Sequence, residues 1–402
     1  MTLTHPSVHL AAPLESTMKS AASTTTEAGA AAQAVAAKVS ASQQIDPVSG
    51  RPFAEAYGFR PKVTWHLRPA WQRNLWEFIV SIDLGPDVVY MTRDIKSPMR
   101  GPPPHQSMAK EHAFILSKAV IPMAIHFAWN WLFPNHLMTW APAWMVYHVG
   151  MIYFALSHIG RLHRYMAAYG TFDEANRGRD IIDDAHVNHV GRSIFLYTIF
   201  RTMAPFLIAW RGPMANPFEG LSWATPIKIG LWQICLDYVS RSTKLPCAPA
   251  LLTVLTCSAK FFYLYHRSTH EWDSIWWIHR QHHATKHPTP ILSILADDVQ
   301  EVLEIFIIPI LATMFGPKMS FAELELTAIY MLYIESLGHS GIRADWGNPM
   351  LDFILRPLQM NLVVEDHDLH HRFGKSGRNY GKQTRIFDRI FGTVGERVEG
   401  DL

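Results

Sequence analysis

Imidazole side chains dominate the C-terminal part of this sequence. Of the 22 histidines, ten lie beyond residue 250, and eight of those fall at helical spacing. His266 and His270 form an HxxxH pair; His279, His282 and His283 form HxxHH; His367, His370 and His371 form a second HxxHH. Residues three or four positions apart share one helix face, so each motif aims two or three imidazoles at a common point. Imidazole is the commonest side-chain metal ligand, with its second nitrogen free for an orienting partner. His339 stands apart in a Gly-His-Ser-Gly turn and is the ninth candidate. A tetrahedral zinc takes four ligands, so this set suits two metals of higher coordination number, each with about four or five nitrogens. Iron fits, because a redox metal justifies so many neutral ligands. A lone HxxxH is commonly helix decoration, but three motifs beside apolar stretches are not. His287 reads as a loop residue, and His126, His148 and His158 as neutral, hydrogen-bonded groups within apolar helices, although ionisable groups there are functional hypotheses by default.

Apolar helices must carry these motifs. Among 402 residues, 36 Lys+Arg against 34 Asp+Glu leave a net charge of +2, which excludes an ordinary electrostatic nucleic-acid binder. Only 17% of residues are charged, against roughly 25% in soluble chains, so part of the chain is expected to face lipid. Cys235, Cys247 and Cys257 form no CxxC pair, which argues against a disulfide framework. Residues 1–50 read as a disordered Ala/Ser/Thr tail without a secretory signal. Residues 51–112 form an aromatic and basic pre-membrane region, 113–244 transmembrane and connecting helices, and 245–395 the histidine-bearing catalytic domain. Segments 113–133 and 139–159 predict a transmembrane hairpin. Basic residues flank its open ends (Arg100 and Lys110 before, Arg161 and Arg164 after), which places both ends in the cytosol. Segments 193–210 and 248–265 are mixed, 305–315 is too short to span and reads as re-entrant or part of a second hairpin, and 321–337 is helical but carries Glu323, Glu325 and Glu335. The competing reading is a set of buried core helices, but Trp129, Trp131, Trp140, Tyr263 and Tyr265 at stretch ends favour a membrane interface. The expected fold is all-α, an integral membrane helical bundle with a cytosolic histidine-rich di-metal cap.

The strings HRSTH at 266–270, WWIHRQHH at 276–283, GHSG at 338–341 and HDLHH at 367–371 resemble the fatty acid hydroxylase / sterol desaturase superfamily of membrane di-iron oxygenases. Asn379-Tyr380-Gly381 and the segment from Phe387 to Thr393 resemble its closing signatures, and the likeness covers roughly residues 245–395. Asp297-Asp298 stands where sterol-modifying members tend to carry His-Pro, and Phe387 where Trp is usual. The resemblance implies O2 activation at two irons and hydroxylation or desaturation of an unactivated lipid C–H bond. It also implies electrons from NADH or NADPH through an external carrier, cytochrome b5 or similar with its reductase, because this chain shows no haem or nicotinamide fingerprint. The endoplasmic reticulum is the expected membrane, with the motifs facing the cytosol. Glu271, Glu335 and Asp366 are candidates to orient ligating imidazoles; Asp297 and Asp298 could instead cap a helix. Arg267, Arg280 and Arg372 are placed to hold a donor or a headgroup, or to pair with nearby acids. Two other classes compete: a membrane zinc hydrolase, although HExxH is absent because Ser274 occupies the second histidine position, and a non-catalytic lipid-binding member, although the ligand set is intact.

Overall fold

The computed structural model describes residues 64–84, 102–172, 180, 182–237 and 262–399. The expected tail, about half of the pre-membrane region and all but the end of the apolar segment 248–265 lie outside them. Among the described residues there is no β-strand, only isolated bridges.

A short helix, α1 (Leu75–Leu84), precedes the two longest, α2 (Met108–Leu132) and α3 (Trp140–Tyr169). Asn130 closes the link between α2 and α3, its Oδ1 accepting the Met138 N–H at 2.8 Å. At their other ends, buried Glu111 receives both Arg161 guanidinium nitrogens at 2.8 and 2.6 Å and the Tyr333 hydroxyl at 2.6 Å. Of the expected two-span hairpin, only α2 is long and apolar enough to cross a membrane among the described residues, with a mean hydropathy of 1.3. Tyr147, His148, Tyr153 and His158 dilute α3. Only 28% of the apolar window of α2 is buried, and Leu116, Val120, Ile121, Ile125 and Phe127 point away from the protein.

Helices α4 (Val187–Ala209) and α5 (Thr225–Asp237) follow, then the histidine-bearing α6 (Phe262–Glu271) and α7 (Trp277–Arg280). Asp297 caps α8 (Asp298–Glu301) by accepting the Val299 N–H at 3.0 Å, while Asp298 pairs with Arg192 at 2.6 Å. Helix α8 widens into a π-helical turn, Val302–Ile307, and continues as α9 (Ile308–Phe315). The segment expected to be re-entrant is therefore the end of an interrupted helix.

Helix α10 (Phe321–Gly338) is the central post of the fold and packs on α2, α3 and α4. A capping box starts it: Ser320 Oγ accepts the Glu323 N–H at 3.2 Å and Glu323 accepts the Ser320 N–H at 2.9 Å. Thr225 and Lys228 of α5 also donate to Glu323, at 3.0 and 2.9 Å, which explains how a carboxylate lies fully buried there. The C-terminus of α10 delivers His339. Helices α11 (Asp352–Leu355), α12 (Val364–Phe373) and α13 (Ile386–Phe391) complete the chain.

Candidate metal centre

Helices α6 and α12 present HxxxH and HxxHH on one face each, as the spacing predicts. The motif at 279–283 differs: α7 ends at Arg280 and a 3-10 turn, His282–Ala284, takes over. In both HxxHH motifs the i and i+4 imidazoles stay together and the i+3 imidazole turns to the other of two groups: His282 leaves His279 and His283, and His370 leaves His367 and His371. The structure brings all nine candidate histidines together as two groups. His266, His270, His279, His283 and His370 form one, and His282, His339, His367 and His371 the other. Within each group the ring nitrogens lie within 4.8 Å of one another. His287 joins neither.

Main-chain carbonyls set the tautomers. Nδ1 of His266 faces the Tyr380 carbonyl at 2.8 Å, His270 that of Lys375 at 3.2 Å, His370 that of Arg378 at 2.7 Å, and His371 that of Thr285 at 3.1 Å. His282 Nδ1 faces the Leu295 carbonyl at 3.1 Å and His339 Nδ1 the Glu335 carbonyl at 2.7 Å. A carbonyl only accepts, so each Nδ1 carries the proton and each Nε2 presents a lone pair. Yet the Nε2 atoms of His282 and His339 lie 3.1 Å apart. Two lone pairs at that distance repel unless a cation sits between them. Protonation is not the remedy. Burial first, and crowding by neighbouring imidazoles second, hold His282, His283, His367, His370 and His371 well below the usual imidazole range. Burial brings His339 to about 4. Nε2 of His270, His370 and His371 is likewise buried without a protein partner. The donor set therefore fits two metal ions.

The segment following α12 holds the ligand-bearing helices in register. Buried Asp388 accepts the Tyr380 and Gly381 N–H groups at 2.8 and 2.9 Å and the Thr393 hydroxyl at 2.7 Å. Asp237 accepts the N–H and the hydroxyl of Thr384, both at 2.9 Å. The closing motifs of the sequence thus fix the very carbonyl, Tyr380, that orients His266. Gly377 is needed for the same reason: a Cβ there would lie 2.5 Å from the His370 carbonyl and 3.2 Å from its Nδ1. Gly377→Ala should push the Arg378 carbonyl off His370 and weaken metal binding by about 10–100-fold, read by a metal titration of the purified variant.

The three carboxylates expected to orient ligands behave otherwise. Glu271 is half exposed and pairs with Arg267 at 2.7 Å, turned away from the histidines. Asp366 is buried but accepts the Val363 N–H at 2.9 Å and pairs with Arg397 at 2.8 Å, so it anchors the start of α12. Glu335 does hold His339, through its main-chain carbonyl; its carboxylate meets Lys382 at 2.8 Å, Arg201 at 3.0 Å and the Tyr197 hydroxyl at 2.7 Å. Burial alone would raise that carboxyl, but Lys382 and Arg201 outweigh it and draw it down to about 2. Arg267 and Arg372 are taken up by pairs one turn away, with Glu271 and Asp368, at 2.7 Å each. Sequence reasoning missed Glu304 and Lys382, which line the cavity beside His266, His279, His282, His339 and His367. Their only sequence signal is charge within otherwise apolar or structural segments.

An all-helical domain with two converging imidazole groups defines a histidine-rich protein able to hold metal. Residues 251–393 match the family model described as fatty acid hydroxylase. A protein named fatty acid hydroxylase vlmA, from Lecanicillium sp, is 42% identical over 146 residues, which make up 35% of this chain and 40% of that relative. The chain thus aligns with under half of the relative's length. No solved structure matches.

Proposed function

We propose that this protein is an O2-dependent oxidoreductase that hydroxylates or desaturates an unactivated C–H bond of a lipid, sterol, fatty acyl or related. In this reading His266, His270, His279, His283 and His370 hold one iron, and His282, His339, His367 and His371 the other. The iron pair supplies the redox chemistry that lets O2 attack such a bond. The protein's own part is to keep the imidazoles neutral by burial and to aim most of them through main-chain carbonyls, among them that of Tyr380, held by Asp388, and that of Glu335 at the end of α10. It also excludes water: Phe262, Ile334, Trp346, Leu362 and Val364 line the cavity beside the histidines, a surface suited to an alkyl chain. The observation that carries the reading is the facing lone pairs of His282 and His339, 3.1 Å apart. The uncovered apolar side of α2 supports membrane attachment and lateral entry of a lipid. The endoplasmic reticulum, with the histidine groups on the cytosolic side, and an external donor such as cytochrome b5 with its NAD(P)H-dependent reductase complete the proposal.

The test is expression in a heterologous host with lipid mass spectrometry. Lipids that gain one oxygen or lose two hydrogens, absent with an alanine variant of His283, are the expected result. An unchanged lipid profile in a strain whose purified protein is iron-loaded and supplied with reductant would overturn it.

A further inference from the structure

His279 lacks the main-chain carbonyl that most of its partners have at Nδ1; its partner is the side chain of Gln300. The nearest acidic group is the Glu304 carboxylate, 3.8 Å away. Glu304 lies in the π-helical turn Val302–Ile307, and wide turns of this kind recur at functional sites. Gln300, one turn earlier, donates to the same carboxylate oxygen at 2.8 Å. The second oxygen meets Lys382 at 3.1 Å. Lys382 in turn reaches Glu335 at 2.8 Å, and Glu335 is the residue whose carbonyl orients His339. The Lys382 ammonium also sits 4.8 Å above the Phe262 ring. All three charged side chains are about nine-tenths buried, at 11%, 10% and 8% exposure. Their contacts run from a histidine of the five-membered group to one of the four-membered group.

We propose that Lys382 is a positioning residue that clamps Glu304, and through Glu304 the Gln300 side chain that meets His279, and so ties the two histidine groups to each other. This rests on the two-metal reading above and adds to it a residue that is not itself a ligand. Without the ammonium, Glu304 and Glu335 face each other as buried like charges, and Glu304 swings away and frees Gln300 from His279. An orienting partner of a ligating imidazole is worth about 10–100-fold in metal affinity.

The experiment is a cobalt(II) titration of the full-length purified protein, stripped with chelator and followed by visible absorption, with circular dichroism as the check on folding. Lys382→Met should weaken cobalt binding by about 10–100-fold, and Lys382→Arg should restore it to within about threefold. Glu304→Gln should reproduce the loss, and the double variant should be no worse than either single, because the two act as one unit. Glu304→Gln and the double variant also serve if Lys382→Met does not fold, since neither leaves the two carboxylates facing each other. A folded Lys382→Met protein that binds cobalt like the wild type, or losses that multiply in the double variant, would overturn the clamp. A wild-type protein that binds no cobalt sinks the metal reading itself, and the clamp with it.

Discussion

His283→Ala should abolish turnover and strip metal from the five-histidine group while leaving the protein folded. His283 sits where the rings of His270, His279 and His370 converge, with centroids 4.6, 4.7 and 4.6 Å from its own, and its Nε2 is 3.1 Å from that of His279. Its removal leaves four donors to the metal. The fold should tolerate the loss, because the ring takes no main-chain partner: its Nδ1 is buried without a hydrogen bond. Removing a crowded imidazole also relieves lone-pair repulsion in the metal-free protein. His371→Ala should likewise strip metal from the second group, and it also leaves the Thr285 carbonyl without its imidazole donor. Product formation, metal content and circular dichroism check both. An active, metal-replete double variant would falsify the assignment.

Asp388→Ala is the second large effect, and it acts on stability and metal together. The carboxylate serves two buried main-chain donors, on Tyr380 and Gly381, and the half-buried Thr393 hydroxyl. Each donor left unpaired costs about 1–3 kcal/mol, so a loss of roughly 3–5 kcal/mol is expected, a large fraction of the stability of most domains. The freed turn carries the Tyr380 carbonyl that orients His266, so metal affinity should fall in the folded fraction as well. Asp388→Asn keeps one acceptor and should fall between wild type and Ala. Denaturant titration of the metal-free protein, beside a metal titration, separates the two effects; a variant as stable as wild type would contradict this account of the closing segment.

These effects trace to features of differing visibility in the sequence. Helical spacing made eight of the nine histidines readable, because i, i+3 and i+4 positions share a face whatever the fold. Spacing did not show how they divide. His282 and His283 are neighbours yet fall in different groups, as do His370 and His371 on the regular helix α12, because successive positions point about 100° apart around a helix. His339 is separated from its partners by long stretches of chain, and only the packing of α10 brings it in. The carboxylates were misjudged for a related reason: adjacency to a histidine in sequence says nothing about which way a side chain leaves the backbone. Glu271 leaves toward Arg267, and Asp366 toward Arg397. Glu304 arrives from a distant segment through a π-helical turn that no simple period reveals. The second half of the expected hairpin falls short as a span because segment 139–159, though free of Asp, Glu, Lys and Arg, carries tyrosines and histidines that lower its hydropathy.

The central claim is that two metal sites exist in one chain and that they hold iron. Metal analysis of the full-length protein, purified anaerobically, tests it most directly. The account predicts about two iron atoms per chain, with occupancy falling toward one in His283→Ala. Zinc alone in such a preparation would contradict it.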